Sequence, residues 1–197
     1  NTTTDSNKIR ISPSWLTQDD QGNWFFSDHN TNTVWYYNKK STDVTLWANS
    51  TPSATIVPAN SIYLVAGTGV AGSGGAGQLA RKIPFNFGGW GGDLAWDSVR
   101  KELYISDYSN NRIIRVGQNG VGNTFCGAGS LNTQGSLAVN NECINPVSIE
   151  FDSTNRRLYA ALYARHIVKY FDVSDSSTSN WKGYIAVGAY NTAANTD

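Results

Sequence analysis

Leu94-Ala95-Trp96-Asp97, Glu102-Leu103-Tyr104-Ile105-Ser106-Asp107, Arg112-Ile113-Ile114-Arg115-Val116 and Thr124-Phe125-Cys126-Gly127 follow one another within residues 94–127. Each run is short and carries β-branched or aromatic residues, a composition that suits a pleated, half-buried surface. Ser98-Val99-Arg100-Lys101 between the first two runs is a polar turn, so that pair reads as a β-hairpin. A third strand follows, and a fourth stops at glycine. The result is a four-stranded antiparallel unit.

The same unit stands on either side. Upstream lie Trp15-Leu16-Thr17-Gln18-Asp19, Asn23-Trp24-Phe25-Phe26-Ser27-Asp28, Thr33-Val34-Trp35-Tyr36-Tyr37 and Ile62-Tyr63-Leu64-Val65-Ala66-Gly67. Downstream lie Ser148-Ile149-Glu150-Phe151-Asp152, Arg157-Leu158-Tyr159-Ala160-Ala161-Leu162, His166-Ile167-Val168-Lys169-Tyr170-Phe171 and Tyr184-Ile185-Ala186-Val187-Gly188. The closing glycines, Gly67, Gly127 and Gly188, are 60 and 61 positions apart. Four strands per repeat with Gly-rich connections are what a β-propeller blade requires, whereas a helical solenoid would space its apolar residues by three and four. The expected class is therefore all-β, with three blades of four antiparallel strands.

The repeat resembles the NHL repeat, whose strand pair ends in a Tyr-Val-Ala-Asp-like run followed by Asn-Arg-Ile. Leu103-Tyr104-Ile105-Ser106-Asp107 with Asn110-Asn111-Arg112-Ile113 carries that likeness. Val65-Ala66-Gly67-Thr68-Gly69, Gln78-Leu79-Ala80 and Ile83-Pro84 are similar to the link between NHL blades, with a counterpart in Cys126-Gly127-Ala128-Gly129, Ser136-Leu137-Ala138 and Ile144-Asn145-Pro146. The resemblance covers nearly all of residues 11–190, implies about half of a six-bladed propeller, and says little of function, because this fold hosts many activities. It divides the chain into an N-terminal extension (1–10), a first blade (11–67) with an inserted loop at 40–60, a second blade (68–127), a third (128–188) and a C-terminal tail (189–197). The insertion, Lys40 to Asn60, holds two prolines and is expected to be an exposed loop. Leu162 stands where the other two repeats have Asp28 and Asp107.

Fifteen basic and fifteen acidic residues, scattered along 197 positions, leave a formal net charge of zero and no footprint for nucleic acid or an anionic membrane. No apolar run is long enough for a membrane span. Charged residues are only 15% of the chain, and the remaining polarity is Asn, Ser, Thr and Gly, a surface common outside the cell. Cys126 and Cys143, 17 positions apart, have no metal-ligand spacing; in a secreted chain they pair, and otherwise they are two buried thiols. Asn1-Thr2-Thr3 and Asn49-Ser50-Thr51 are N-glycosylation sequons, so an N-linked glycan is expected at Asn49 and, with a weaker context, at Asn1.

Candidate sites are few. Related propeller enzymes, such as amidating lyases and lactonase-like hydrolases, gather histidines or carboxylates around a central metal; here His29 aligns with Tyr108 and Tyr163, and His166 with Arg112 and Thr33, so no shared metal site is expected. Asp28 and Asp107, and the turn residues Asp19, Asp97 and Asp152, are read as acceptors of turn backbone N–H groups rather than as ligands. The Gly67–Gly75 stretch lacks the Gly-Lys-Ser/Thr ending and following helix of a phosphate cradle, and no cofactor is expected. Trp24 and Trp96 lie in strands and read as inter-blade core, leaving Trp47 in the insertion and Trp90 among glycines as the candidate exposed ligand contacts.

Three functions compete: a structural or protein-interaction module that self-assembles into an oligomer or extracellular filament, a hydrolase or lyase completed by another chain, and a carbohydrate-binding module. Three blades cannot close a ring when propellers use about four to eight. Partners are thus expected to be other copies or the missing blades of a longer chain, with the polar segment Asn1 to Lys8 free to reach a neighbour.

Overall fold

The computed structural model describes residues 3–5 by their backbone, and residues 11–49, 55–130 and 133–188 in full. Among them are three five-stranded antiparallel sheets and one two-stranded hairpin. The first sheet is built from β1 (Thr3–Asp5), β2 (Pro13–Gln18), β3 (Trp24–Asp28), β4 (Thr33–Asn38) and β7 (Ser61–Ala66), in the order β1-β7-β4-β3-β2. The hairpin, β5 (Val44–Leu46) with β6 (Thr55–Val57), interrupts it. The second sheet takes β8 (Gln78–Leu79), β9 (Leu94–Asp97), β10 (Glu102–Asp107), β11 (Arg112–Val116) and β12 (Val121–Cys126), in the order β8-β12-β11-β10-β9. The third repeats this with β13 (Ser136–Leu137), β14 (Pro146–Asp152), β15 (Arg157–Leu162), β16 (Ile167–Asp172) and β17 (Lys182–Val187). This is the architecture of β-propeller blades.

Each sheet has one strand more than the repeat alone suggests. The extra strand is two or three residues long, comes from the segment before the sheet, and covers its outer edge, which otherwise would offer unpaired backbone groups. For the first sheet that strand is β1, with Thr3, Thr4 and Asp5 opposite Tyr63, Ile62 and Ser61. Residues 3–5, set apart in the sequence as an extension free to reach a neighbour, therefore belong to the first sheet. The 189–197 tail lies outside the described residues.

The closing glycines sit where a side chain cannot. A Cβ on Gly127 would stand 2.2 Å from the carbonyl oxygen of Asn111, and the equivalents at Gly67 and Gly188 meet Asn32 and His166 at 2.4 and 2.7 Å. Asn32, Asn111 and His166 are all in the left-handed region, with φ of 54°, 54° and 53°. Each precedes the third strand, so the repeat register pairs Ile167, not His166, with Arg112 and Thr33; the sequence alignment of His166 was one position out. His166 instead matches Asn32 and Asn111, the left-handed residue that precedes the third strand in every repeat.

The 40–60 insertion is not a loose loop. Val44, Leu46, Trp47 and Val57 are buried and join the core between the first two sheets. Its neck is held by Asn38, whose side-chain amide donates to the carbonyls of Thr42, Val57 and Pro58 at 2.9 to 3.0 Å. Cys126 and Cys143 form the expected disulfide, with Cα atoms 5.8 Å apart, joining the last long strand of the second sheet to the segment entering the third.

Candidate functional site: the two uncovered sheet faces

Two apolar cores lie between successive sheets. The forward face of the first sheet, with Phe25, Val34, Tyr36 and Val65, packs on the back face of the second, with Leu94, Leu103, Ile105, Ile114 and Val116. Tyr104, Ile113 and Phe125 on the forward face of the second meet Phe151, Leu158, Ala160 and Phe171 on the back face of the third. The pleat sends alternate residues to opposite faces, so one hairpin supplies both cores.

The same register leaves two faces uncovered among the described residues. On the back of the first sheet, Leu16, Phe26, Trp35 and Leu64 stand side by side across four strands, and Trp24 and Tyr37 form the next row beside Ile62, which is itself buried. Leu16 is 61% exposed, and Trp24, Phe26, Trp35 and Tyr37 are half-buried. Their counterparts in the second sheet, Leu103, Ile105, Ile114 and Val116, are fully buried at 0%. Trp24 holds the inter-blade core position that the sequence assigns it, but no preceding sheet lies against it among the described residues, and it is half-buried. Trp96 does fill the first core, stacking on Phe25 with centroids 5.2 Å apart.

On the forward face of the third sheet, Tyr159, Tyr170 and Tyr184 form a ladder, with centroids 5.9 and 5.0 Å apart. The Arg157 guanidinium lies 4.6 Å from the Tyr170 ring centre. The three rings are half-buried, whereas the equivalent Phe25 and Tyr36 of the first sheet are fully covered by the second. Val187, on the same face, is 66% exposed.

Polar links cross both internal contacts at the hairpin turns. Lys101, a left-handed turn residue with φ 55°, reaches Asp20 of the first sheet's turn at 2.6 Å. Arg156, in the same turn position with φ 55°, binds Asp97 through two bonds of 2.6 Å. The Asp97 carboxylate also accepts the Val99 and Arg100 backbone N–H groups, and Asp19 and Asp152 close their turns likewise. Asp28 accepts N–H groups of Asn30 and Thr31, as expected for a strand-end turn. Asp107 does more: it accepts the Asn86 N–H from the entering segment and pairs with Arg112 at 2.7 Å, while burial pushes its carboxyl above the usual range.

The remaining sequence candidates fall apart from one another. Trp47, expected to be an exposed contact, is 7% exposed and packed in the first core. It lines a cavity of about 150 Å³ with Asp20, Trp96, Lys101 and Gln118. The pairing of β5 with β6 carries it inward, and no local residue pattern announces that. Trp90 is 70% exposed. Asn49 is exposed, its backbone and side-chain amides both turned toward Gln118, while Asn1 lies outside the described residues. His29 bonds Ser14 at 2.7 Å, and among the described residues no three His, Cys, Asp or Glu side chains gather as a cation would need. No described helix is long and apolar enough to cross a membrane.

No protein-family model and no curated protein matches the chain. Among solved structures it is similar to a protein of unknown function from Bacteroides thetaiotaomicron, with a TM-score of 0.50 and 13% identity over 90% of this chain and 38% of that one. It is also similar to an auxiliary nutrient binding protein from that organism, with a TM-score of 0.49 and 16% identity over 77% of this chain and 36% of the other. Virginiamycin B lyase from Staphylococcus aureus gives 0.46 and 14% over 88% and 41%. The chain spans about two-fifths of the length of these structures, and identities this low are a likeness of fold alone.

Proposed function

We propose that the chain is a secreted propeller module of the NHL type that acts as a structural or protein-interaction unit, associating through its two uncovered faces with other copies of itself or with further blades of a longer chain. One observation carries the reading. The faces left open on the first and third sheets use repeat positions whose central members are fully buried at the internal contacts, at Phe25, Tyr36, Tyr104, Leu103, Ile105, Ile114 and Val116, with Tyr63 and Trp96 partly buried beside them. A contiguous aromatic face left without a covering sheet supports an interaction site. Sedimentation of the 21.4 kDa chain at dilute concentration tests it. Association is expected; a well-folded monomer with no tendency to associate refutes the reading.

The extracellular part of the proposal is supported by the disulfide and by the exposure of Asn49. Glycopeptide mass spectrometry on natively produced material should find Asn49 occupied, and an unmodified Asn49 counts against secretion through a glycosylating compartment. The exposed Trp90 favours a second reading, carbohydrate binding by ring stacking. Glycan binding lost in Trp90→Ala would support it, and unchanged binding would remove Trp90 from consideration.

A further inference from the structure

Resting on the association proposed above, we infer that the occupant of each open face is a second copy of this chain, joined head to tail: the forward face of one copy's third sheet seats on the back face of the next copy's first sheet. The two faces are not equivalent to each other. Each is equivalent to one side of an internal contact, so joining them repeats a contact the molecule already makes twice. Phe25, Tyr36 and Tyr63 of the first sheet occupy the positions of Tyr159, Tyr170 and Tyr184 in the third. What covers the first ladder is the back face of the second sheet, at Trp96, Leu103, Ile105, Ile114 and Val116. The corresponding residues on the open back face are Gln18, Trp24, Phe26, Trp35 and Tyr37, four of them aromatic. The first sheet therefore carries, ready-made, the kind of surface that covers an aromatic ladder.

A contact between unlike faces is heterologous, and it closes into a ring or continues as a filament according to its rotation. At this third contact one internal feature is missing. Asp152 takes the place of Asp97 at the turn, but the position held by Lys101 and Arg156 is Gly22. Gly22 already has a left-handed φ of 82°, and a Cβ there meets nothing closer than the end of Lys39 at 3.5 Å. There is room for a cation, although a left-handed φ of 82° strains any side chain placed on it.

Sedimentation velocity on Tyr170→Glu, on Trp35→Glu and on their equimolar mixture tests the geometry, with circular dichroism as the folding check. Each variant alone should fail to associate at concentrations where the parent does, because each spoils one face of every contact. The mixture should recover a one-to-one dimer, since the Trp35→Glu chain keeps its tyrosine ladder and the Tyr170→Glu chain keeps its tryptophan face. If the parent associates but the mixture stays monomeric, or if only one variant loses association, the head-to-tail geometry is overturned while association stands. A monomeric parent overturns both. Gly22→Arg should tighten parental association about twofold to fivefold, the range of an exposed ion pair, and Asp152→Asn should abolish the gain. No gain, or a gain that survives Asp152→Asn, overturns the register that sets Gly22 against Asp152.

Discussion

At the contact between the first and second sheets, Lys101 reaches Asp20 with 47% and 32% of the two side chains in solvent; between the second and third, Arg156 grips a fully buried Asp97. The other fittings differ in the same sense. The first contact is closed by the β5–β6 hairpin, which adds Val44, Leu46, Trp47 and Val57 to an apolar core. The second has the Cys126–Cys143 disulfide, and Trp181 stands about 5 Å from the guanidinium groups of Arg100 and Arg115. Arg100 also donates to the carbonyls of Val173 and Asp175 across the contact. One repeat position thus serves two contacts whose strength comes from different sources, inserted apolar mass in one and covalent and charged links in the other.

The largest effect should come from Arg156→Ala. It leaves the Asp97 charge buried with only its two turn N–H donors, and breaking such a pair costs roughly 3–5 kcal/mol. Urea unfolding measures this; a loss no greater than that of Lys101→Ala would erase the contrast between the contacts. Replacing both Cys126 and Cys143 by alanine should cost roughly 3 kcal/mol for a loop of this length. Hydrogen exchange should then rise first in β12 and β14. Uniform exchange across both contacts would mean the disulfide does not hold the second in particular, and free-thiol titration of the unfolded, unreduced parent should find none.

A third effect belongs to the second contact alone. Lys169 lies on the back face of the third sheet, at the position of Trp35 and Ile114, and is 1% exposed. Its ammonium donates to the Asn141 side chain at 2.9 Å and to the Glu142 carbonyl at 3.2 Å. Burial pulls its pKa down to about 8, against the attraction of Glu142. The unfolded chain then holds this proton more tightly than the folded one, so stability rises with pH from about 8 toward the ordinary lysine value of 10.5. Relative to Lys169→Met, the parent should gain stability over that window, by about 1.4 kcal/mol per pH unit at most; a flat difference would show that Lys169 is not desolvated. The smallest effect is expected for Lys101→Ala, under about 1 kcal/mol and fading with added salt. A larger, salt-insensitive loss would place Lys101 in the same class as Arg156.

Much of the blade was legible because a half-buried strand writes its burial into alternate residues. Phe25 with Phe26, and Tyr104 with Ile105, each show a hairpin that must bury both faces. The disulfide was legible from the place of two cysteines at the ends of one connection. The short edge strands were not, because two residues such as Gln78 and Leu79 carry no period. Trp47 was misread for a related reason: its burial depends on a hairpin whose neck is tied by Asn38, a contact made across residues 38–58.

By itself the sequence determined the repeat, the four long strands of each blade, the closing glycines and the turn carboxylates, since each follows from local sterics and hydrogen bonding. Only the tertiary structure decided which faces are covered. Trp24, Leu103 and Leu158 are equally apolar and equivalently placed, yet Leu103 and Leu158 are fully buried and Trp24 is not. Burial is a property of what lies opposite, and no residue encodes its neighbour's position alone.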